Sequence, residues 1–260
     1  MSDALARLDA VLAGIGPADI AVSGGVDSLT LAAAAHRVLG DAARMHHAVS
    51  PAVPPEATAR TQALAAARGW RLTLFDAGEF ADERYRENPA NRCFFCKTNL
   101  YGALAARVSG TILSGTNTDD LSDWRPGLRA AEQYRVRHPF VEAGIGKANV
   151  RRLAASLGLG EVAELPASPC LSSRIETGIR VEPTLLALVH RTEQVVTRAL
   201  APRTVRCRVR AEGVVVELDA DALARLDAQG SLAAELAGVA GRPVRFALYR
   251  TGSAFLRTGA

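Results

Sequence analysis

Lysine is almost absent from this 260-residue chain: it occurs at Lys97 and Lys147, and every other Lys/Arg-type side chain is arginine. Aromatics make up 5% of residues and no dense basic run is interleaved with them, so the formal charge of +4 carries no argument for a nucleic-acid surface. The arginine bias, with abundant alanine, reads most simply as genomic base composition; the alternative is that some arginines hold phosphates or carboxylates in their planar forks. No stretch approaches the ~20 apolar residues of a membrane-crossing helix. The start, MSDALARLDAVLAGIG, lacks a cationic segment followed by a continuous apolar run. A soluble, cytoplasmic protein with no membrane or nucleic-acid partner is therefore expected. Cysteine is scarce too, with four residues, and in that compartment thiols stay reduced. The pair Cys93 and Cys96, in NRCFFCKTNL, then suits a metal, a cluster or catalysis better than a structural disulfide.

Material for a core is ample, since 48% of the residues are hydrophobic. Apolar runs, DIAVS (19–23), HHAVS (46–50), RLTLFDA (71–77) and TILSGT (111–116), alternate with helical patterns over 29–40, 56–69 and 93–106. The order βαβαβαβ predicts an α/β fold, a parallel sheet with helices on both faces and ligands at the carboxyl ends of the strands. KANVRRLAASLGLG (147–160) reads as a further helix, and ELPASPCLSSR (164–174) as loop. After Pro183 the pattern becomes a long helix from Thr184 to about Leu200, then TVRCRVRAEGVVVELD, a helix near Ala220 to Ala237, and a final strand, RPVRFALYR. We place a boundary near 180, between a domain over 1–180 and a small α+β domain over 181–260.

AVSGGVDSLTLA (21–32) is the strongest local signal. A strand runs into Ser23, Gly24, Gly25, Val26, Asp27 and Ser28, and a helix leaves them; two glycines let the backbone turn and approach an anion at the helix N-terminus. The lysine of a Walker A loop is missing. The stretch resembles instead the SGGxDS loop of the PP-loop ATP pyrophosphatases, which split ATP into AMP and pyrophosphate. That resemblance implies ATP binding by Ser23, Gly24, Gly25, Asp27 and Ser28; a serine-capped helix after a glycine turn is the plainer reading. Asp27 either caps the helix or helps place Mg²⁺. SGTNTDDLSDWRPGLRAAEQ (114–133) follows a strand with Gly115, Asp119, Asp120 and Asp123, and carboxylates there suit Mg²⁺ beside phosphates, or else are solvated loop residues or N-caps.

Taken in order, SGGVDS, NRCFFCK, GTNTDDLSDWRPGLRAA, KANVRRLAASLGL and PASPCLSSRI resemble the LarE sulfur transferases, over about residues 15–220. The resemblance implies an oligomeric enzyme that adenylates a carboxylate of pyridinium-3,5-biscarboxylic acid mononucleotide and installs sulfur as a thiocarboxylate. The product belongs to the nickel-pincer nucleotide cofactor of lactate racemase. Cys170 matches the sulfur-bearing cysteine. In one branch it gives up its own sulfur; in another it joins a Cys-x-x-Cys pair to hold a [4Fe-4S] cluster with an open iron, fed by sulfide or a persulfide donor. Cys93, Cys96 and Cys170 resemble the second branch. Chemistry favours it, because three thiolates leave one iron unprotected, whereas structural zinc would want a fourth ligand.

Alternation in the TVRCRVR strand puts Cys207 on a face with Val205 and Val209, as a buried small hydrophobe, and Arg206, Arg208 and Arg210 on the other. His46 and His47 point to opposite faces of their strand. The resemblance assigns Arg206 and Arg208 to the substrate's phosphate, a solvated face being the plainer view, and aligns Glu193 and Glu217 with acidic positions. Ser172 and Arg174, near Cys170, either stabilise charge or cap a loop. A PP-loop tRNA thiolase with a three-cysteine cluster is the rival reading, and a nucleotide- or zinc-binding regulator a second.

Overall fold

The structure, a computed structural model, describes residues 3–121, 126–166, 169–226, 230–241 and 243–250. Asp123 lies outside them. The chain forms two units: Met1–Asp82 with Asn91–Ser168, and Glu83–Ala90 with Pro169–Ala260.

The first unit is built on strands β1 (Ala18–Ala21), β2 (Ala43–Ala48), β3 (Arg71–Phe75) and β4 (Thr111–Ser114). They form one parallel sheet in the order β3-β2-β1-β4. Helices α1 (Asp3–Ile15), α2 (Val26–Leu39) and α3 (Pro55–Arg68) come before or between the first three strands. Strand alternation separates two cores. Ala18, Ile20 and Val22 join Leu8 and Leu12 of α1, Leu29 and Leu31 of α2, and Val150 and Leu153 of a later helix, α8 (Lys147–Ser156). Ile112 of β4 instead packs with Phe75, Tyr101 and Leu104 and with Ala130 and Ala131. Those last residues belong to α5 (Arg92–Ala105), which follows the short α4 (Glu83–Arg86), and to α6 (Pro126–Gln133), which precedes α7 (Pro139–Glu142). Helices therefore cover both faces, as expected of a PP-loop type fold.

From β1 the chain moves outward to β3, then returns over the other face and lays β4 on the free side of β1. The direction of winding reverses between β1 and β4, and the carboxyl ends of such a pair leave the crevice where doubly wound sheets bind ligands. α1 reaches the core through Leu5, Leu8 and Leu12, a three- and four-residue spacing that puts all three on one stripe.

The second unit carries a three-stranded sheet, β5 (Val205–Arg210), β6 (Gly213–Leu218) and β7 (Val244–Leu248), with β5–β6 antiparallel and β6–β7 parallel. Helix α9 (Pro183–Leu200) supplies Val196 and Leu200 to a core shared with Val216, Leu218, Leu232 and Leu236. In place of one helix near 220–237 there are two, α10 (Ala220–Ala224) and α11 (Gly230–Ala240). The side chain of Asp219 starts α10 by accepting from the Ala222 amide, and the sequence then runs through Asp227 to Gly230, the first residue of α11, both residue types being poor in a helix interior. Among the described residues no helix is long and apolar enough to cross a membrane.

Candidate active site

The loop after β1 leaves the sheet at its carboxyl edge. Gly24 has φ +80°, and a Cβ there would lie 2.7 Å from the Ala57 carbonyl oxygen, so only glycine both adopts the turn and lets α3 approach. From α3, Arg60 donates to the Gly24 carbonyl at 2.6 Å. The serines shape the loop: Ser28 Oγ accepts from the Ser23 amide at 3.0 Å, lies 3.1 Å from Ser23 Oγ, and donates to the Gly25 carbonyl at 3.1 Å. Gly25 is the N-cap of α2 and has no side chain to offer the first turn. That turn keeps amides without intrahelical partners, at the positive end of a 14-residue helix.

Asp27 does not cap this helix. Its carboxylate pairs with the Lys147 ammonium at the start of α8 and accepts from Asn117 Nδ2 at 3.3 Å. Asp119 turns to the same helix and accepts the Lys147 amide at 3.0 Å, the plainer of the two roles open to it. Gly115 lets the loop after β4 close on the loop after β1: a Cβ there would stand 2.8 Å from the Ser28 amide nitrogen. The loops after β1 and β4 thus meet at the winding reversal.

His47 braces this edge from below. Its Nδ1–H donates to the Val22 carbonyl at 2.8 Å and Nε2 lies 2.9 Å from Thr58 Oγ1; burial lowers its pKa, partly opposed by the bond to Val22. His46 points the other way, to the buried Asp19 at 2.7 Å. Burial alone would raise the Asp19 pKa, but hydrogen bonds from Arg44 and His46 outweigh it and hold the carboxyl low.

Cys93 and Cys96 stand three positions apart on the first turns of α5, hence on neighbouring positions of one helix face, and both thiols are half-buried. Because α5 returns the chain from β3 to the parallel β4, its N-terminus opens at the carboxyl edge of the sheet. The charge of Lys97, one residue on, reaches His138, whose Nδ1 lies 2.8 Å from Ser114 Oγ at the end of β4. Burial lowers the His138 pKa, and Glu142 and Asp120 act against it. The Ser23–Ser28 loop, the Gly115–Asp119 loop and the thiol pair therefore share one edge of the first unit.

Cys170 belongs to the second unit and is exposed. Its backbone is held firmly: Arg174, 3% exposed, donates to the carbonyls of Pro169 (2.6 Å) and Cys170 (3.2 Å) and forms a two-point pair with Glu193 at 2.9 and 3.1 Å. Glu193 Oε1 also accepts the Cys207 amide at 2.9 Å. Cys207 itself is fully buried, and burial pushes its thiol up to about 12. The arginine face of β5 is covered rather than solvated. Arg208 is 5% exposed, pairs with the buried Glu217 at 2.9 Å and donates to the Ser173 carbonyl at 3.1 Å; Arg210 reaches the other Glu217 oxygen at 3.2 Å. Arg206 lies over the Tyr249 ring at 5.8 Å, its pKa lowered by burial and then by the Arg174 charge. Neither unit, among the described residues, gathers three or more His, Cys, Asp or Glu side chains in a metal-holding group. In kind the three thiols suit an iron–sulfur cluster: two are paired on one helix turn, the third is solvent-facing, and Cys207 is sealed away.

No protein-family model matches the chain. It is 40% identical to an uncharacterized protein of Synechocystis sp. over 193 residues, 73% of this chain and 71% of that one. An uncharacterized Methanocaldococcus jannaschii protein is 28% identical over 139 residues, covering 52% of this chain and 54% of its own length. The pyridinium-3,5-bisthiocarboxylic acid mononucleotide synthase of Lactiplantibacillus plantarum is 30% identical over 218 residues, 82% of this chain and 78% of that enzyme. The chain belongs to the LarE family.

The LarE relationship extends over more residues than either unit contains, so it draws on both. Within this LarE chain, Lys147, Asn117 and Arg60 are site-edge residues that sequence reasoning passed over. Lys147 had a signal, being one of two lysines in a chain that otherwise uses arginine; Asn117 and Arg60 had none, because their partners are distant in sequence.

Proposed function

We propose that this chain is an ATP-dependent sulfur transferase of the LarE pathway. It forms AMP and pyrophosphate and converts a carboxylate of pyridinium-3,5-biscarboxylic acid mononucleotide to a thiocarboxylate. The observation that carries the reading is the shared edge: a glycine phosphate loop, a second loop packed on it at the winding reversal, and a Cys-x-x-Cys turn.

The amides at the N-terminus of α2 and the glycine backbone of Gly24 and Gly25 bind the ATP phosphates. Asp27 and Asp119 supply oxygen donors of the kind Mg²⁺ takes, and Lys147, shared with Asp27, adds a positive charge beside the phosphates. A substrate carboxylate oxygen attacks the α-phosphorus, and the bond to pyrophosphate breaks. The resulting acyl-adenylate is open to a sulfur nucleophile, with AMP as leaving group. Arg206 and Arg208 hold the substrate's phosphate, Tyr249 and Glu217 fixing their forks. Cys93, Cys96 and Cys170 would hold a [4Fe-4S] cluster, which when bound supplies sulfide at the iron that no protein thiolate occupies. Arg174 fixes the Cys170 backbone so that its thiol faces outward. The donor is sulfide or a persulfide, and the setting is a cytoplasmic homo-oligomer.

Turnover decides between this and sacrifice of Cys170. With excess ATP and sulfide, the chain is expected to make many thiocarboxylates per polypeptide and to keep its mass, and Cys93→Ala to lose transfer while still binding ATP. A single product per chain, with Cys170 converted to dehydroalanine, would overturn the cluster reading.

A further inference from the structure

Residues Glu83–Ala90 belong to the second unit, although the chain on either side of them belongs to the first. They are pinned by polar contacts far denser than a linker requires. Tyr85 and Ser172, 1% and 0% exposed, share a hydroxyl–hydroxyl hydrogen bond of 2.6 Å. Asn88 is fully buried in the left-handed region at φ 58°, and its Nδ2 donates to the carbonyls of Glu176 and Ile179, each at 2.8 Å. The Asn88 carbonyl accepts the Gly178 amide at 2.9 Å, and the Arg86 carbonyl accepts the Val181 amide at 2.8 Å. Arg86 pairs with Glu182 at 2.7 Å, and Arg180 joins Glu83 to Glu182.

Every partner in this set lies within residues 172–182, on the segment that carries Cys170. Glu83–Ala90 itself leads directly into α5. Asn88 precedes Cys93 by five residues and Ser172 follows Cys170 by two, spans that a fully extended chain limits to about 18 Å and about 7 Å. Without these contacts the covalent link between the thiol pair and Cys170 would be the whole chain from 96 to 170, which restrains little.

We infer that Tyr85 and Asn88 are positioning residues for sulfur transfer: they anchor the approach to Cys93 and Cys96 on the segment that bears Cys170, so that both thiol sets hang on short tethers from one buried anchor. This rests on the three-thiol reading above. Neither residue touches substrate.

The test is cross-linking of the full, metal-free chain with a short bismaleimide, the products mapped by peptide mass. Cys207 is buried and stays silent. The Cys93–Cys96 product lies within one helix turn and serves as the internal standard. In Tyr85→Phe, which keeps the ring's packing, and in Asn88→Gly, which keeps the positive φ, the Cys93/Cys96–Cys170 products should fall about tenfold relative to that standard, as when a tether loosens and effective concentration drops. ATP affinity should stay unchanged, since the phosphate loop lies in the first unit. An unchanged product ratio in both variants overturns the inference and leaves the three-thiol reading standing. If the wild-type chain gives no Cys170 product at all, the three-thiol reading falls and this inference with it.

Discussion

At the scale of single residues, the candidate site depends on what two side chains lack. Gly24 lets α3 approach the loop after β1 and Gly115 lets the loop after β4 approach the first turn of α2, and in each case an added methyl would meet main-chain atoms, at Gly24 also the Ala57 Cβ, rather than a side chain that can swing away. Packed backbone of this kind yields little, so the loops would have to part. Gly115→Ala is therefore expected to weaken ATP binding by about tenfold, or about 1.4 kcal/mol, with an unaltered circular dichroism spectrum. Titration calorimetry with ATP measures it; an unchanged affinity would show that the approach of Gly115 to Ser28 has no part in holding the nucleotide. The lone lysines tell a related story. An ammonium on a flexible stem is a compact point charge, and Lys147 pairs with Asp27 in the first turn of α2.

At the scale of elements, the β5–β6 hairpin shows what alternation reveals and what it conceals. Period two placed Cys207 and the arginines on opposite faces, and so they lie. It did not show that the arginine face is covered, because what covers Arg208, the Ser173 carbonyl and Glu217, is fixed by tertiary packing. Burying Arg208 beside Glu217 means that removing the carboxylate leaves a cation without its counter-charge. Glu217→Ala should cost about 3 kcal/mol of stability, read from urea denaturation, as breaking a buried pair generally does. A loss near zero would mean that water reaches the arginines. The turn from β1 into α2 was legible because its signal is local, a strand, two glycines and a helix within a dozen residues. α1 was missed although Leu5, Leu8 and Leu12 carry a helical stripe, since that stretch was read only for export signals. The membership of Glu83–Ala90 in the second unit could not be read at all: Tyr85 and Asn88 find partners some ninety positions away.

At the scale of the whole molecule, one chain passes between two units, with the Ser23–Ser28 loop and the Cys93/Cys96 pair in the first and Cys170 and the β5 arginines in the second. The most direct measurement is iron and acid-labile sulfide per chain after anaerobic reconstitution, in wild type and in Cys93→Ala, Cys96→Ala, Cys170→Ala and Cys207→Ala. The account predicts about four irons in the wild type and in Cys207→Ala, and loss of the cluster in the other three. A Cys170→Ala protein that keeps its full iron, or a wild type that binds none, would contradict it.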